Sequence, residues 1–283
     1  MQLRTLGHRQ ISAIGLGGMP MSIEGRPDEA QSIATIHAAL DAGVTFIDTA
    51  NSYHLLAGEV GHNERLIAKA LKAYGNTDDV VVATKAGHLR PGDGSWTQNG
   101  DPAHIKEAAQ QSLKDLGVET IGLYQFHRPD PRVPWAESVG AVRDLLDEGV
   151  IEMAGVSNAS VAQIDEADEI LGGRLVSVQN QFSPAHRSTL DTLNHCAKLG
   201  IAFLPYSPLG GIGRAGGVGD RFPEFARIAA AHGVSPQRVV LAWQLALAPV
   251  VVPIPGASRP ESIIDSAAAA DLVLSDDELA ALS

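Results

Sequence analysis

Residues 44–85 read VTFIDTANSYHLLAGEVGHNERLIAKALKAYGNTDDVVVATK, and the order of patterns within them decides the fold. Val44–Asp48 is a short apolar run, residues 62–73 carry apolar side chains at helical spacing, and Val80–Thr84 is again β-branched. Runs buried on both faces, alternating with helices, mark parallel strands joined by crossover helices. The unit recurs in both directions. Ile14–Gly17 precedes it, and Ile121–Phe126, Ile151–Val156, Leu175–Gln179, Ile201–Pro205 and Val250–Ile254 follow. Helical segments intervene near 29–42, 103–115, 135–148, 161–171, 188–198, 222–248 (broken) and 260–270. Eight strands alternating with eight helices predict a closed α/β barrel of (β/α)8 type, with an open doubly wound sheet as the second possibility.

Local chemistry supports these boundaries. Asp101-Pro102 and Ser235-Pro236 place a capping side chain before a first-turn proline. Ser160-Val-Ala-Gln163 and Ser258-Arg-Pro-Glu261 read as capping boxes. Glycines 43, 117, 149 and 200 stand where helices end in a left-handed residue. Before the first strand, Leu3–Leu6 and Arg9–Ala13 flank Gly7-His8 and predict an N-terminal β-hairpin. The 283 residues fit one barrel domain over 1–283, since such barrels run to about 250 residues. Aromatic residues are only 5% of the chain against 45% hydrophobic, so the interior rests on Ala, Val, Ile and Leu.

Composition also excludes functions. A net charge of −12 repels phosphate backbones and anionic lipid, so neither nucleic acid nor a membrane is an expected partner. Cys196 is the only cysteine, which rules out an internal disulfide, and its place in LNHCAKLG is that of a small buried side chain. The N-terminus MQLRTLGHRQ lacks the apolar run of a signal peptide, and a cytoplasmic location is the expectation. No spacing of histidines suggests a metal site.

In a parallel barrel, chemistry belongs at the carboxyl ends of the strands. TFIDTANSY puts Asp48 at one such end and Tyr53 just beyond, VVVATKAG leaves Lys85 where the next strand runs out, and IGLYQFHRPD does the same with His127. Each has a structural explanation alone: a turn-capping Asp, a packing Tyr, a hydrogen-bonded His. An ammonium ending an apolar strand, however, needs a partner, and Asp48 is the obvious one. The joint occurrence on consecutive strands points to one cleft. Trp96, Trp135 and Met21 are candidates to line it.

TFIDTANSY, the TK of VVVATKAG and LYQFHRPD resemble the catalytic signatures of the aldo-keto reductases. The similarity continues in order through GVIEMAGVSN, VQNQFSP, LPYSPLGG and PIPGASRPESI. The resemblance implies a TIM barrel that reduces the carbonyl of a small-molecule substrate with NADPH or NADH. It implies Tyr53 as general acid, Lys85 beside it lowering its pKa, Asp48 holding Lys85, and His127 orienting the carbonyl. It further implies cofactor contacts from Gly18, Met19 and Asp48, and from Ser157, Asn158 and Gln179 to the carboxamide. Tyr206 would stack on the nicotinamide, and Ser207, Leu209 and Gly210 would follow the pyrophosphate. Gly256, Ala257, Ser258 and Arg259 would meet the adenosine phosphate. The sequence departs from the common form at Gly256, where a Lys is usual, at Ser262, and at Asp265-Ser266. Arg259 is left as the main ligand for a 2′-phosphate, with Arg214 second, and NADPH is favoured over NADH. The formal GxGxxG of GGIGRAGGVG (210–219) reads as a loop, because the dinucleotide fingerprint needs strand, turn and helix in succession. A Schiff-base aldolase using Lys85 and a nucleotide-sensing regulatory subunit are the alternatives.

Overall fold

A computed structural model describes residues 1–282. A hairpin, β1 (Leu3–Leu6) and β2 (Arg9–Ser12), comes first. The parallel strands are β3 (Leu16–Gly17), β4 (Phe46–Asp48), β5 (Val81–Ala86), β8 (Ile121–Phe126), β9 (Ile151–Ser157), β10 (Leu175–Gln179) and β11 (Ala202–Phe203). They form one seven-stranded sheet in the order β11-β10-β9-β8-β5-β4-β3. A small hairpin, β6 (His88–Leu89) with β7 (Thr97–Gln98), stands in the loop after β5. The helices are α1 (Glu29–Asp41), α2 (His62–Tyr74), α3 (Pro102–Leu116), α4 (Trp135–Asp147), α5 (Val161–Ile170) and α6 (Leu190–Leu199). They continue as α7 (Val218–Arg221), α8 (Pro223–His232), α9 (Pro236–Leu247), α10 (Pro260–Ala267) and α11 (Asp276–Ala281). The break expected within 222–248 falls at Gly233, in the left-handed region, ahead of the Ser235 cap.

The eighth position is filled by residues 250–256, although they form no regular strand. On one side Val252 N donates to Phe203 O (2.9 Å) and Ile254 N to Pro205 O (3.2 Å). On the other, Gly15 N and Gly17 N donate to the carbonyls of Pro253 and Pro255, both at 2.9 Å. Prolines at those two positions have no N–H to return, so the ladder against β3 is half-formed. The sheet curls shut through this seam, where Pro253 and Pro255 supply carbonyl acceptors but no N–H, and Gly17 bridges to Gly256. Gly17 lies in that seam, where an added Cβ would sit 2.8 Å from Ile254 O, which requires glycine there.

Strand parity explains the interior. Successive side chains alternate between faces, and Phe46, Val81, Ala83, Leu123, Met153, Val252 and Ile254 pack into one cluster inside the barrel. Leu6 and Ile11 of the hairpin join that cluster and plug its lower end. Following the same parity upward, Phe46 leads to Asp48, Ala83 to Lys85, Leu123 to Gln125 and His127, and Met153 to Ser157. The inward face thus changes from apolar to polar at the carboxyl ends. The outward face packs on helices in a second, larger cluster that includes Cys196, whose thiol burial pushes up to about 12.

Three of the four expected helix caps are seen: Asp101, Ser160 and Ser235 each accept backbone N–H groups of the first turn. The capping box expected at Ser258 does not form. With Pro260 as the first helical residue, the cap position falls on Arg259, which makes no side-chain cap bond. The intervening Arg displaces Ser258 by one residue, and its carbonyl accepts from Gln31 Nε2 at 2.8 Å instead.

One outward polar contact carries a pH signature. Glu64 on α2 is fully buried and accepts a 2.5 Å bond from Thr84 Oγ1 of β5. Burial raises its carboxyl from 4.5 to about 7. An acid whose folded pKa is raised contributes stability below its ordinary value and loses it as pH rises toward the folded value. Glu64→Gln is therefore expected to leave stability unchanged near pH 4 and to raise it at pH 8 by up to about 3 kcal/mol, from about 1.4 kcal/mol per unit. Urea unfolding at the two pH values checks this; equal effects at both would show that Glu64 does not titrate in this window.

Candidate active site

The polar ends of the inward face open into a cleft of about 990 Å³. At its floor, Lys85 of β5 is completely buried. Its Nζ donates to Asp48 Oδ2 at 2.8 Å, to Thr49 O at 2.6 Å and to Tyr53 Oη at 3.3 Å. Asp48 Oδ1 accepts from Gln179 Nε2 at 2.7 Å, which fixes the carboxylate from across the barrel. The four expected catalytic residues are thus brought together: the Tyr53 ring meets the His127 ring edge-on with centroids 5.9 Å apart. Asp48, Tyr53 and His127 line the cleft, whereas Lys85 lies behind them. An amine with three partners and no exposed surface offers no approach for a Schiff base.

Burial governs the electrostatics. It lowers the Lys85 pKa, against the pull of Asp48, and raises that of Asp48, against the pull of Lys85. The Tyr53 hydroxyl is pushed well above its ordinary value by burial and then by the charge of Asp48. The expected lowering by Lys85 is not what the geometry yields, because desolvation of the phenolate and the nearby carboxylate outweigh one ammonium at 3.3 Å. His127 is held well below its usual range by burial, with Lys85, His88 and Arg128 adding to the effect. Its ring is therefore a neutral imidazole near pH 7, and its Nδ1 is buried without a partner.

The later strands supply a second row of groups. Ser157 Oγ donates to Gln179 O at 2.7 Å, and Asn158 Nδ2 donates to His127 O at 3.0 Å. The Asn158 Oδ1 accepts from the Tyr206 hydroxyl at 2.8 Å. Asn158 and Ser207 both adopt left-handed backbone, at φ 58° and 51°, which costs non-glycine residues conformational energy and is concentrated at this cleft. Met19, Ser157, Asn158, Gln179, Tyr206, Ser207 and Leu209 line the cleft, as do the four residues from Gly256 to Arg259. Gly18 and Gly210 do not. Gly18 instead holds β4 through Gly18 N to Asp48 O at 2.8 Å, and a Cβ there would collide with Asn63. The glycine-rich loop lines the cleft through Gly211, Gly213 and Gly216, and no strand precedes it directly. Asp265 turns away to Arg238 and Ser235.

Several cleft residues escaped the sequence reading. His88 stacks on Trp96 with centroids 4.7 Å apart and stands edge-on to His127 at 5.0 Å. Arg90 lies over the Trp96 ring and pairs with Glu24. Arg128, next after His127, donates to Asn158 Oδ1 at 3.2 Å. Of the candidates Trp96, Trp135 and Met21, only Trp96 lines the cleft. Trp135 packs on Phe126, and Met21 is in the core under α1 and α2. Among the described residues no cluster of side chains could hold a metal, and no helix is long and apolar enough to cross a membrane.

A lysine, carboxylate, tyrosine and imidazole at the mouth of a parallel barrel define an oxidoreductase of carbonyl and alcohol groups. The profile of the aldo/keto reductase family matches residues 13–283, and the chain belongs to that family. It is similar to an uncharacterized oxidoreductase of Schizosaccharomyces pombe, 32% identical over 98% of this chain and 87% of the relative. It is also similar to pyridoxine 4-dehydrogenase of Escherichia coli, 30% identical over 98% of this chain and 96% of the relative. A solved aldo-keto reductase from Klebsiella pneumoniae in complex with NADPH superposes with a TM-score of 0.82, at 29% identity, covering 100% of this chain and 94% of that one.

Removing one partner of a buried ion pair leaves the other charge uncompensated. Asp48→Asn is expected to lower stability by about 3 kcal/mol at pH 7, measured by urea unfolding; an unchanged midpoint would mean that the neutral partners of Lys85, Thr49 O and Tyr53 Oη among them, satisfy it without the charge.

Proposed function

We propose that the cleft, carried by one barrel domain over residues 1–283, binds NADPH and a small carbonyl compound and reduces the carbonyl to the alcohol. The observation that carries this reading is the Tyr53 hydroxyl at 3.3 Å from the buried Lys85 ammonium, on the cleft wall. The cofactor, when bound, supplies the hydride. Tyr53 donates the proton to the carbonyl oxygen, and its raised pKa keeps that proton in place throughout the neutral range. Lys85 meets the negative charge that develops on the phenolic oxygen, and Asp48 fixes the ammonium in position. His127, neutral, orients the carbonyl as a hydrogen-bonding group.

The residues present suit a phosphorylated dinucleotide. The cleft is at the upper end of the size usual for ligand sites. Ser157, Asn158 and Gln179 offer amide and hydroxyl groups to a carboxamide, with Tyr206 beside them. Gly18 and Gly210, which do not line the cleft, shape the neighbouring backbone instead. At the far end, Gly256, Ala257 and Ser258 precede the N-terminus of α10, where the helix dipole favours an anion. Arg259 has no acidic partner there and is the ligand for a 2′-phosphate. The relative solved with NADPH supports the same choice for this chain.

Tyr53→Phe is expected to lower kcat by about 100-fold to 10,000-fold while NADPH still binds, read from nicotinamide absorbance with an aldehyde panel and fluorescence titration. Near-normal turnover would remove Tyr53 as the acid. Arg259→Gln is expected to weaken NADPH by about 10- to 100-fold, the range of a charge-assisted hydrogen bond, and to leave NADH unchanged. Equal weakening of both nucleotides would show that Arg259 does not read the 2′-phosphate.

A further inference from the structure

Five carboxyl or guanidinium side chains line the cleft: Glu24, Asp48, Arg90, Arg128 and Arg259. Asp48 is matched by Lys85 and Glu24 by Arg90. Arg128 and Arg259 have no acidic partner among the described residues. The proposed function assigns Arg259 to the cofactor, which leaves Arg128 as the cleft cation with neither an acidic side-chain partner nor an assigned role.

Arg128 is placed for the substrate. It directly follows His127 at the top of β8, and its Nη2 is steered by Asn158 Oδ1 at 3.2 Å. Its Nε is buried and has no hydrogen-bond partner. A guanidinium cannot discharge by losing a proton, and a half-buried cation without a counter-charge is unfavourable unless an anion joins it. The chain carries 33 acidic residues, yet none is placed against this one. A guanidinium presents a planar edge of donors that matches the two oxygens of a carboxylate. The neighbouring wall is the flat stack of His88 on Trp96.

We propose that Arg128 selects carbonyl substrates that carry a carboxylate, binding it beside His127 while the carbonyl meets Tyr53. This rests on the reductase reading of the same cleft and names its substrate class. The test compares 4-carboxybenzaldehyde with the nearly isosteric neutral 4-nitrobenzaldehyde, using the NADPH-loaded enzyme. Arg128→Gln is expected to lower the carboxy-to-nitro ratio of kcat/KM by about 10- to 100-fold, and Arg128→Lys to restore part of it. In the unaltered enzyme, the KM of the carboxylate alone should rise as salt goes from roughly 50 to 500 mM, a readout independent of how the variants fold. An equal loss for both aldehydes, or equal salt responses, would reduce Arg128 to a support for Asn158 and Tyr206 and overturn the proposal. Binding of benzoate against benzamide to the complex with oxidised cofactor, followed by tryptophan fluorescence, separates the two readings. Benzoate binding that is lost in Arg128→Gln, with no carbonyl turned over, would sink the reductase and keep the anion subsite; no preference for benzoate would sink the subsite alone.

Discussion

An ammonium removed wholly from water has to be held by charge and by hydrogen bonds, and Lys85 is held by both. Its ion pair with Asp48 joins adjacent strands at the level where the barrel interior turns from apolar to polar. Gln179 grips the same carboxylate from β10, on the far side of the sheet, so the pair also braces the barrel across its width. The pair sets the surroundings of the two groups beside it. Burial, with Asp48 adding to it, raises the Tyr53 hydroxyl, and burial, with Lys85 adding to it, lowers the His127 imidazole, so both neighbours are neutral near pH 7. A charged floor thus lies beneath a neutral acid and a neutral imidazole, and the same burial governs all three.

Much of this was legible because strand parity is a rule with period two. Once 44–48 and 80–84 are read as strands, the inward direction of Phe46 forces Asp48 inward, and Ala83 does the same for Lys85. The helix caps at Asp101, Ser160 and Ser235 were legible because a side chain and the first-turn N–H groups are local partners. Ser258 failed by one residue, since a proline fixes where the helix begins. Tyr53 was legible as a position but not as a titrating group, because desolvation depends on everything packed around it.

The cleft wall was less legible for a related reason. His88, Trp96 and Arg90 sit in and around a two-residue-strand hairpin in a loop, where sequence carries no period to say which way a side chain points. Arg128 carries a weaker signal that parity could have flagged, as it directly follows a strand-end histidine. The irregular eighth strand was also written in the sequence: Pro253 and Pro255 stand two apart, so both remove N–H groups from the same side of the strand.

That seam has a consequence for how the chain is made. The partners of Gly15 and Gly17 are Pro253 and Pro255, which follow every other strand in the chain, and neither proline returns an N–H. The barrel therefore cannot close until residues 250–256 have left the ribosome. At translation rates of about 5–20 residues per second, the early strands wait on the order of tens of seconds with β3 as an open edge. The nascent chain's exposure to aggregation thus comes before closure of a seam that contributes few hydrogen bonds of its own.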